Sequence, residues 1–392
     1  MPINKFYTLF WILYFPLCIA FYEDINFDYI DEMLTLILIL FGMTRSGRNV
    51  NKAATKEVKV YLIIMSFYVV YSLWMAVNVK ASVWLDLQQQ IRPYAVFYTT
   101  WYIRPQFTRK QKKLMLGVML ATFIIYMATH YTQVFKGAEF PVMGQLAICT
   151  GMTYYIFTEA SKRNIYISLL IVTAGLLSGK FKYFGEYVTF IAIIFFVKNK
   201  VKLTSTSAIL RVALLATVVI FFTWTRFDIY YVSGMNNKEL ARPMTYKTSL
   251  RILGDYFPFG SGLGTFATNA AWKYYSPLYP KYQLDRIWGL DKGGGFIADA
   301  FYPTLAEFGI IGILLFCIFW KRRLSDIGKI PNLKYYKVAL MCFFCLALES
   351  TADTSYLSGK GMGYFMLLAI CISSKPHRKS TNQQEICPPK NV

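Results

Sequence analysis

Long apolar runs constrain the fold of this chain more than any other feature. Runs of roughly 15 to 22 apolar residues recur through the 392-residue sequence, and each is long enough to cross a hydrocarbon core of ~30 Å. A helix that crosses the bilayer satisfies its own backbone hydrogen bonds, so a helical bundle is expected. The short alternating segments that are typical of a membrane β-barrel do not occur in the sequence. We therefore predict an all-α polytopic membrane protein.

The runs predict about twelve transmembrane helices. They cover approximately residues 6–22, 32–44, 60–78, 83–103, 114–130, 144–160, 164–178, 184–197, 206–224, 301–320, 335–350 and 358–373. Nine of these spans lie within residues 1–224 and three lie within residues 301–373. One large polar segment, residues 225–300, separates the two groups, and a tail follows at residues 374–392.

Positive charge predicts how these helices are oriented. The chain has 42 Lys and Arg against 21 Asp and Glu, which gives a formal net charge of +21. Most basic residues cluster in alternate short connections, whereas the first connection on the opposite side is acidic, with Glu23, Asp24, Asp28, Asp31 and Glu32. Because cytoplasmic connections are enriched in Lys and Arg, both termini are predicted to be cytoplasmic and the 225–300 segment external. This distribution favours membrane lipids, and not nucleic acid, as the partner.

The positions of histidine and cysteine limit the chemistry of the external segment. The two histidines, His130 and His377, lie outside it, which excludes a histidine triad or a histidine-ligated metal centre there. It contains none of the seven cysteines, so no disulfide framework is expected. We predict no metal and no cofactor. A catalytic base must be a carboxylate, a lysine or a tyrosine, and Asp299 and Glu307 are the nearest acidic candidates.

Arg92 is the clearest functional candidate within a predicted span, because charged groups at membrane depth are costly and commonly functional. It follows three glutamines and precedes Pro93. Two interpretations remain open: a kinked or broken helix that faces a polar cavity, or an amphipathic helix on the outer surface that enters the membrane at Pro93. Lys180 and Lys182 form a basic outer turn, which either binds an anion or is an ordinary solvated turn.

Three basic residues of the external segment suggest an anion site. Lys247 and Arg251 are four residues apart and share a face if the segment is helical, with Arg242 more loosely placed. Arginine binds phosphate with two parallel hydrogen bonds, so the cluster suits an anionic lipid headgroup such as a diphosphate. A solvated basic face is the alternative.

A glycine-rich turn and many aromatic residues occupy the same segment. The spacing of Gly260, Gly262 and Gly264 does not fit a dinucleotide-binding fingerprint. We interpret the turn as one that lets the backbone approach a ligand. The rings of Tyr274 and Tyr275 suit sugar stacking, although the same residue type is common at a membrane interface.

The external segment resembles that of the Wzy-type polysaccharide repeat-unit polymerases and the O-antigen ligases. The resemblance rests on Arg242 upstream of a Pro-x-Gly-x-Gly-x-Gly-x-Phe motif at residues 258–266, on the run from Tyr302 to Gly312, and on Tyr-Tyr-Ser-Pro-Leu-Tyr at residues 274–279. The topology of many spans with one large, late external segment is also similar. Ligases place a histidine just before the 302–312 helix, where this chain has none, so the resemblance favours a polymerase.

The resemblance implies a GT-C-like, metal-independent glycosyltransferase of the bacterial inner membrane. Such an enzyme joins undecaprenyl-diphosphate-linked oligosaccharides into capsule or lipopolysaccharide O-antigen at the periplasmic face, in some systems with a chain-length regulator protein. The implied catalytic residues are Arg92, Arg242, Arg251, Asp299 and Glu307, and the implied substrate-binding residues are Lys180, Lys182, Lys247, Tyr274, Tyr275 and Tyr302. An O-antigen ligase and a flippase or transporter of lipid-linked oligosaccharide are the alternatives.

Overall fold

Helices form the framework of the protein. The structure is a computed structural model that describes residues 2–21, 29–45, 50–135, 141–200, 224–234 and 239–374, with residues 210, 214, 217, 220, 221 and 237. In this part of the chain there are helices and turns but no strand. The all-α prediction is therefore confirmed for the described residues. Most of the predicted span at 206–224, and the tail from residue 375, lie outside them.

The main helices follow the apolar runs. They are α1 (Ile3–Tyr14, continued by a π-helix at Phe15–Ala20), α2 (Ile30–Met43), α3 (Lys52–Met75), α4 (Lys80–Ile103), α5 (Arg109–Phe135), α6 (Pro141–Phe157), α7 (Lys162–Ala174), α8 (Phe181–Phe196), α9 (Ala241–Asp255), α10 (Gly309–Gly328), α11 (Leu333–Ala352) and α12 (Gly359–Ile372).

Polar side chains fix where several of these helices begin. Asn51, Ser161, Asn332 and Ser358 each accept a hydrogen bond from a backbone amide in the first turn of α3, α7, α11 and α12. Such caps satisfy amides that have no partner within the helix.

Several helices have the length and composition of membrane spans. Four apolar stretches of the described chain are long enough to cross a membrane, namely Ile3–Ala20, Lys52–Met75, Arg109–Thr132 and Leu333–Ala352. Val142–Phe157 and Gly359–Ile372 are shorter apolar helices. The architecture is therefore compatible with a polytopic membrane protein, while twelve spans and a GT-C-like fold stay predictions.

Large aromatic side chains fill the space between the helices. α4 packs against α2, α3 and α12, while α11 packs against α8 and α12. Trp11, Tyr14, Phe97, Tyr183 and Tyr364 are fully buried in one continuous core. This packing holds the ends of α2, α4, α11 and α12 close together, which matters for the site described below.

Two features of the predicted helices differ notably in the structure. α4 continues as one helix through Pro93, so a helix broken at that residue is wrong. The predicted span at 301–320 starts later, because a 3-10 helix at Tyr302–Glu307 precedes α10. Gly309, the first residue of α10, has φ of +63°, and a Cβ there would lie 2.3 Å from the backbone of Gly260 and Pro258. Close packing of two backbones therefore sets this boundary.

The segment at 225–300, called the external segment after its predicted location, has a small core of its own, although its composition is polar. α9 and several short helical turns surround a cluster of apolar side chains. The fully buried members include Ile252, Phe266, Leu278, Leu284 and Leu290. The segment therefore forms a folded unit that can position side chains.

Candidate functional site

A cleft of about 1190 Å³ lies where three parts of the chain meet. One wall is formed by the start of α2 and the first half of α4, and a second by parts of the external segment at residues 268–275 and 292–298. The third is the connection between α11 and α12, at residues 353–360. Drug-sized pockets are typically about 300–1,000 Å³, so the cleft can accept a larger ligand.

Arg92 lies in the first wall of the cleft. Its side chain is 6% exposed and forms ion pairs with Asp31 and Glu32 at the start of α2. Arg92 Nη1 also donates to the carbonyl oxygen of Leu357 at 3.1 Å. Two carboxylates offset the desolvation of the buried guanidinium. The structure thus places Arg92 beside a polar cavity, as the first of the two interpretations expects, and it adds two acidic partners.

Arg242 and Asp299 form a second ion pair beside the cleft. Arg242 Nε lies 2.6 Å from Asp299 Oδ2, and Arg242 Nη2 lies 2.9 Å from Asp299 Oδ1. The guanidinium also lies over the Tyr230 ring, 4.4 Å from its centroid. Burial raises the pKa of Asp299 above its ordinary value, and Arg242 opposes this rise. The pair adjoins the cleft through its neighbours in sequence. Ala298 precedes Asp299 and lines the cleft, and Asp353, which also lines it, follows Ala352, whose carbonyl accepts a hydrogen bond from Arg242.

Lys182 joins the third wall to the buried ends of the helices. Its Nζ lies 2.6 Å from Asp353 Oδ2 and 3.4 Å from Glu349 Oε1. Burial alone would raise the pKa of Asp353, but Lys182 and Lys360 lower it below its usual value. The charge of Lys180 lowers the pKa of Asp299, which places Lys180 near the second ion pair.

Tyrosines of the external segment face the same cleft. Tyr274 and Tyr275 line it together with Trp272 and Tyr29. Tyr275 Oη donates to the carbonyl of Leu290 at 3.2 Å, which fixes the orientation of its ring. Tyr275 also has φ of +31°, an uncommon backbone conformation for a residue with a side chain. The structure therefore brings Arg92, Tyr274 and Tyr275 together.

Four predicted site residues lie elsewhere, namely Arg251, Lys247, Tyr302 and, as shown below, Glu307. Arg251 follows Arg242 by nine residues, about two and a half turns of α9, so the two point in opposite directions and Arg251 is exposed. Lys247 is half-buried on α9 and is not among the residues that line the cleft. Tyr302 lines a separate groove of about 690 Å³ between α10 and α11. The basic residues of α9 thus do not form one cluster.

The glycine turn, residues 258–266, packs against the helices and not against the cleft. Residues 260–266 are buried, and Gly262 and Gly264 have φ of +90° and +71°. A Cβ at Gly264 would lie 2.6 Å from the carbonyl oxygen of Ser82 on α4. The interpretation of this turn as a ligand approach is therefore wrong, because its glycines permit close contact with the rest of the chain.

Glu307 holds this turn in place. Its Oε1 accepts hydrogen bonds from the amides of Thr265 and Phe266 at 2.6 Å and 2.7 Å. Asp86 of α4 accepts from the amide of Gly264 at 3.0 Å. We call Asp86 and Glu307 the anchor pair. Glu307 is fully buried and does not line the cleft, so its position does not support the predicted role as base.

Sequence reasoning missed several charged residues of the cleft. Asp31 and Glu32 begin an apolar helix, and Asp353 and Lys360 flank the end and start of two others. An acidic pair at the mouth of a predicted span is the signal that could have identified the first two. Among the described residues, no group of three or more His, Cys, Asp or Glu is arranged to hold a metal ion.

No protein-family model, curated protein or solved structure matches this chain. The functional argument therefore rests on the geometry of the cleft.

Proposed function

We propose that the protein is a polymerase that joins lipid-diphosphate-linked oligosaccharide repeat units at the external face of a bacterial inner membrane. The observation that carries this proposal is the composition of the cleft. Aromatic rings that suit sugars and cationic side chains that suit phosphate line one cavity at the ends of apolar helices.

The aromatic wall is suited to hold sugar rings. Trp272, Tyr274 and Tyr275 lie within four consecutive residues, and all three line the cleft. Two or more rings on one wall give a ligand of several sugars more than one stacking surface. This fits an oligosaccharide better than a single sugar.

The cationic side chains that line the cleft are suited to hold a diphosphate. Arg92, Lys273, Lys292 and Lys360 line the cleft. Arg92 is already paired with two carboxylates, so a diphosphate must compete with them or bind the lysines. The carboxylates fix the guanidinium in one orientation before the ligand arrives, and preorganised charge is an effective way to stabilise a developing anion.

The proposed reaction is a single displacement. A hydroxyl oxygen of one lipid-linked unit attacks the anomeric carbon of the growing chain, and a new carbon–oxygen bond forms. The bond from the anomeric carbon to the diphosphate oxygen breaks, and the electron pair leaves with the lipid diphosphate. The hydroxyl proton passes to a carboxylate, and the configuration at the anomeric carbon inverts.

Of the two bases that the sequence suggests, Asp299 and Glu307, Asp299 is the better candidate. Burial raises its pKa, which strengthens it as a proton acceptor relative to an ordinary aspartate. Asp353 faces the cleft directly, but Lys182 and Lys360 lower its pKa and weaken it as a base. Asp299 must release one of its two hydrogen bonds to Arg242 before it can accept the proton.

A product assay tests the proposal. Purified protein in detergent is given an undecaprenyl-diphosphate-linked repeat unit, and the products are separated by size. A ladder of products supports a polymerase, transfer only to lipid A core indicates a ligase, and no new bond argues against a transferase. Arg242→Ala is expected to lower product formation by about 100-fold or more if Arg242 stabilises developing charge. Arg286→Ala, an exposed arginine of the same segment, is the control.

A transporter of lipid-linked oligosaccharide is the second candidate. It is favoured by the buried charged residues Lys182, Glu186 and Glu349 near the outer ends of α8 and α11, because intramembrane charges often lie along transport pathways. A fluorescent lipid-linked sugar in sealed vesicles distinguishes the two. Movement across the bilayer without a new glycosidic bond would favour the transporter.

A further inference from the structure

We infer that Glu186 and Glu349 together bind one proton at neutral pH and form a proton-binding site directly beneath the cleft. We call these residues the proton pair. The inference does not depend on the proposed transferase activity.

The geometry leaves the proton pair short of hydrogen-bond donors. Both carboxyl groups are fully buried, Glu186 on α8 and Glu349 on α11. Tyr364 Oη donates to Glu186 Oε2 at 2.8 Å. No described residue donates to Glu186 Oε1 or to either oxygen of Glu349 by hydrogen-bond geometry, although Lys182 Nζ lies 3.4 Å from Glu349 Oε1.

α8 packs against α11, and the charge of each carboxyl group acts on the other. An ionised carboxylate can only accept hydrogen bonds, so two ionised groups would leave three of their four oxygens without a hydrogen-bond donor. One proton bound to the pair lets one carboxyl group act as a donor. The proton replaces the donors that the surrounding protein does not supply.

The charges around the proton pair lead to the same conclusion. Lys182 is the cation within ion-pair distance, and it lies closer to Asp353, at 2.6 Å, than to Glu349. The other titratable groups near the pair are tyrosines, cysteines and one aspartate, none of which can carry a positive charge. They are Tyr183 on α8, Cys149 on α6, Cys345 on α11, Tyr364 on α12, and Asp353 at the end of α11. Lys360 also acts on Asp353, so three carboxylates face two lysines and one carboxylate has no cation of its own. Two like charges in one buried site keep one carboxyl group protonated.

The site is linked to the cleft through one side chain. Lys182 contacts Glu349 below and Asp353 above, and Asp353 lines the cleft. Any anion that binds near Asp353 lies close enough to the pair to favour its protonation. By linkage, protonation of the pair favours the anion to the same extent.

Infrared spectroscopy of the full-length protein in lipid nanodiscs tests the inference directly. A protonated carboxyl group has a carbonyl stretch that an ionised carboxylate lacks. We expect the difference spectrum between wild type and Glu186→Gln at neutral pH to show the loss of one such band. Glu349→Gln is expected to lose the same band, because its side-chain amide can replace the shared proton. Glu159→Gln, on an exposed carboxylate paired with Arg109, is the control and keeps the band.

The double variant Glu186→Gln/Glu349→Gln makes the test quantitative. If the pair holds one proton, the double variant loses the same band amplitude as either single variant. If it loses twice that amplitude, both carboxyl groups are protonated and the inference is wrong. Identical spectra for wild type and both single variants also overturn it. The anchor pair contributes equally to all of these spectra, so the difference isolates the proton pair.

Discussion

The protein contains two buried carboxyl pairs whose surroundings differ. In the anchor pair, Glu307 accepts from the amides of Thr265 and Phe266, and Asp86 accepts from the amide of Gly264. In the proton pair, Tyr364 donates to Glu186, and Lys182 lies near Glu349. Both pairs consist of carboxyl groups, but the number of fixed donors differs. Backbone amides hold the anchor pair as a structural element, whereas the described residues donate no backbone amide to the proton pair, which we infer to bind a proton.

The positions of the two pairs fit this difference. The anchor pair ties the external segment to α4 through the glycine turn, so it supports the cleft from behind. The proton pair lies one side chain from the cleft. Substitutions that remove a donor or an acceptor should therefore have different effects in the two regions.

The largest effect is expected for Glu307→Ala. This change leaves the amides of Thr265 and Phe266 and the hydroxyl of Thr268 without their acceptor. A buried unsatisfied donor costs about 1–3 kcal/mol, so we expect a loss of about 3 kcal/mol or more, measured from unfolding in detergent. Glu307→Gln keeps an acceptor oxygen and should unfold near wild type. Equal losses for Ala and Gln would contradict the anchoring role.

Lys182→Met tests the other region and should also be strongly destabilising. It removes the cation that lies near both Asp353 and Glu349, and breaking a buried ion pair costs about 3–5 kcal/mol. Adding Glu349→Gln should recover part of this loss, because it removes one of the unpaired charges. The readout is the thermal midpoint of the two single variants and the double variant. Strictly additive effects would show that Lys182 and Glu349 are not coupled.

The sequence predicted the framework of the fold because apolar periodicity is a local property. The apolar run predicted at 335–350 lies within α11, Leu333–Ala352. Arg92 was identifiable for a similar reason, since a charge inside an apolar run needs compensation wherever it lies. These signals do not depend on which parts of the chain become neighbours.

The partners of these charges could not be predicted, because they come from distant parts of the chain. Arg92 and Asp31 are 61 residues apart, and Arg242 and Asp299 are 57 apart. The role of Glu307 depends on the glycine turn, which lies about forty residues earlier and meets it only in the folded chain. The turn was misinterpreted because its glycines suit a ligand and a neighbouring helix equally well.

Gly264→Ala is expected to have an intermediate effect on the anchor region. Gly264 has φ of +71°, and a Cβ would lie 2.6 Å from the carbonyl oxygen of Ser82. Backbone strain and overpacking together suggest a loss of about 2–4 kcal/mol. Gly295→Ala is the control, because a Cβ there meets no atom within 4 Å. A midpoint for Gly264→Ala that equals the control would show that the turn adjusts freely.

The smallest effect concerns the two aspartates beside the cleft and appears as pH dependence. Burial raises the pKa of Asp299, whereas Lys182 and Lys360 lower that of Asp353 despite its burial. Asp299, whose pKa is raised in the folded protein, stabilises the fold at low pH, and this contribution is lost as pH rises through its folded pKa. Asp353, whose pKa is lowered, stabilises the fold above its unfolded pKa of about 4, and this contribution is lost only as pH falls below that value.

The two aspartates can be separated with Asn variants measured from pH 7 to pH 4. The destabilisation caused by Asp353→Asn should stay constant down to about pH 5, with a midpoint shift on the order of a few degrees. Asp299→Asn should instead be neutral or slightly stabilising at pH 7, and its difference from wild type should shrink as Asp299 becomes protonated. If Asp299→Asn is instead clearly destabilising at pH 7, Arg242 lowers the pKa of Asp299 by more than burial raises it. In that case Asp299 would be a fixed counter-ion like Asp353 and a poor candidate for the base.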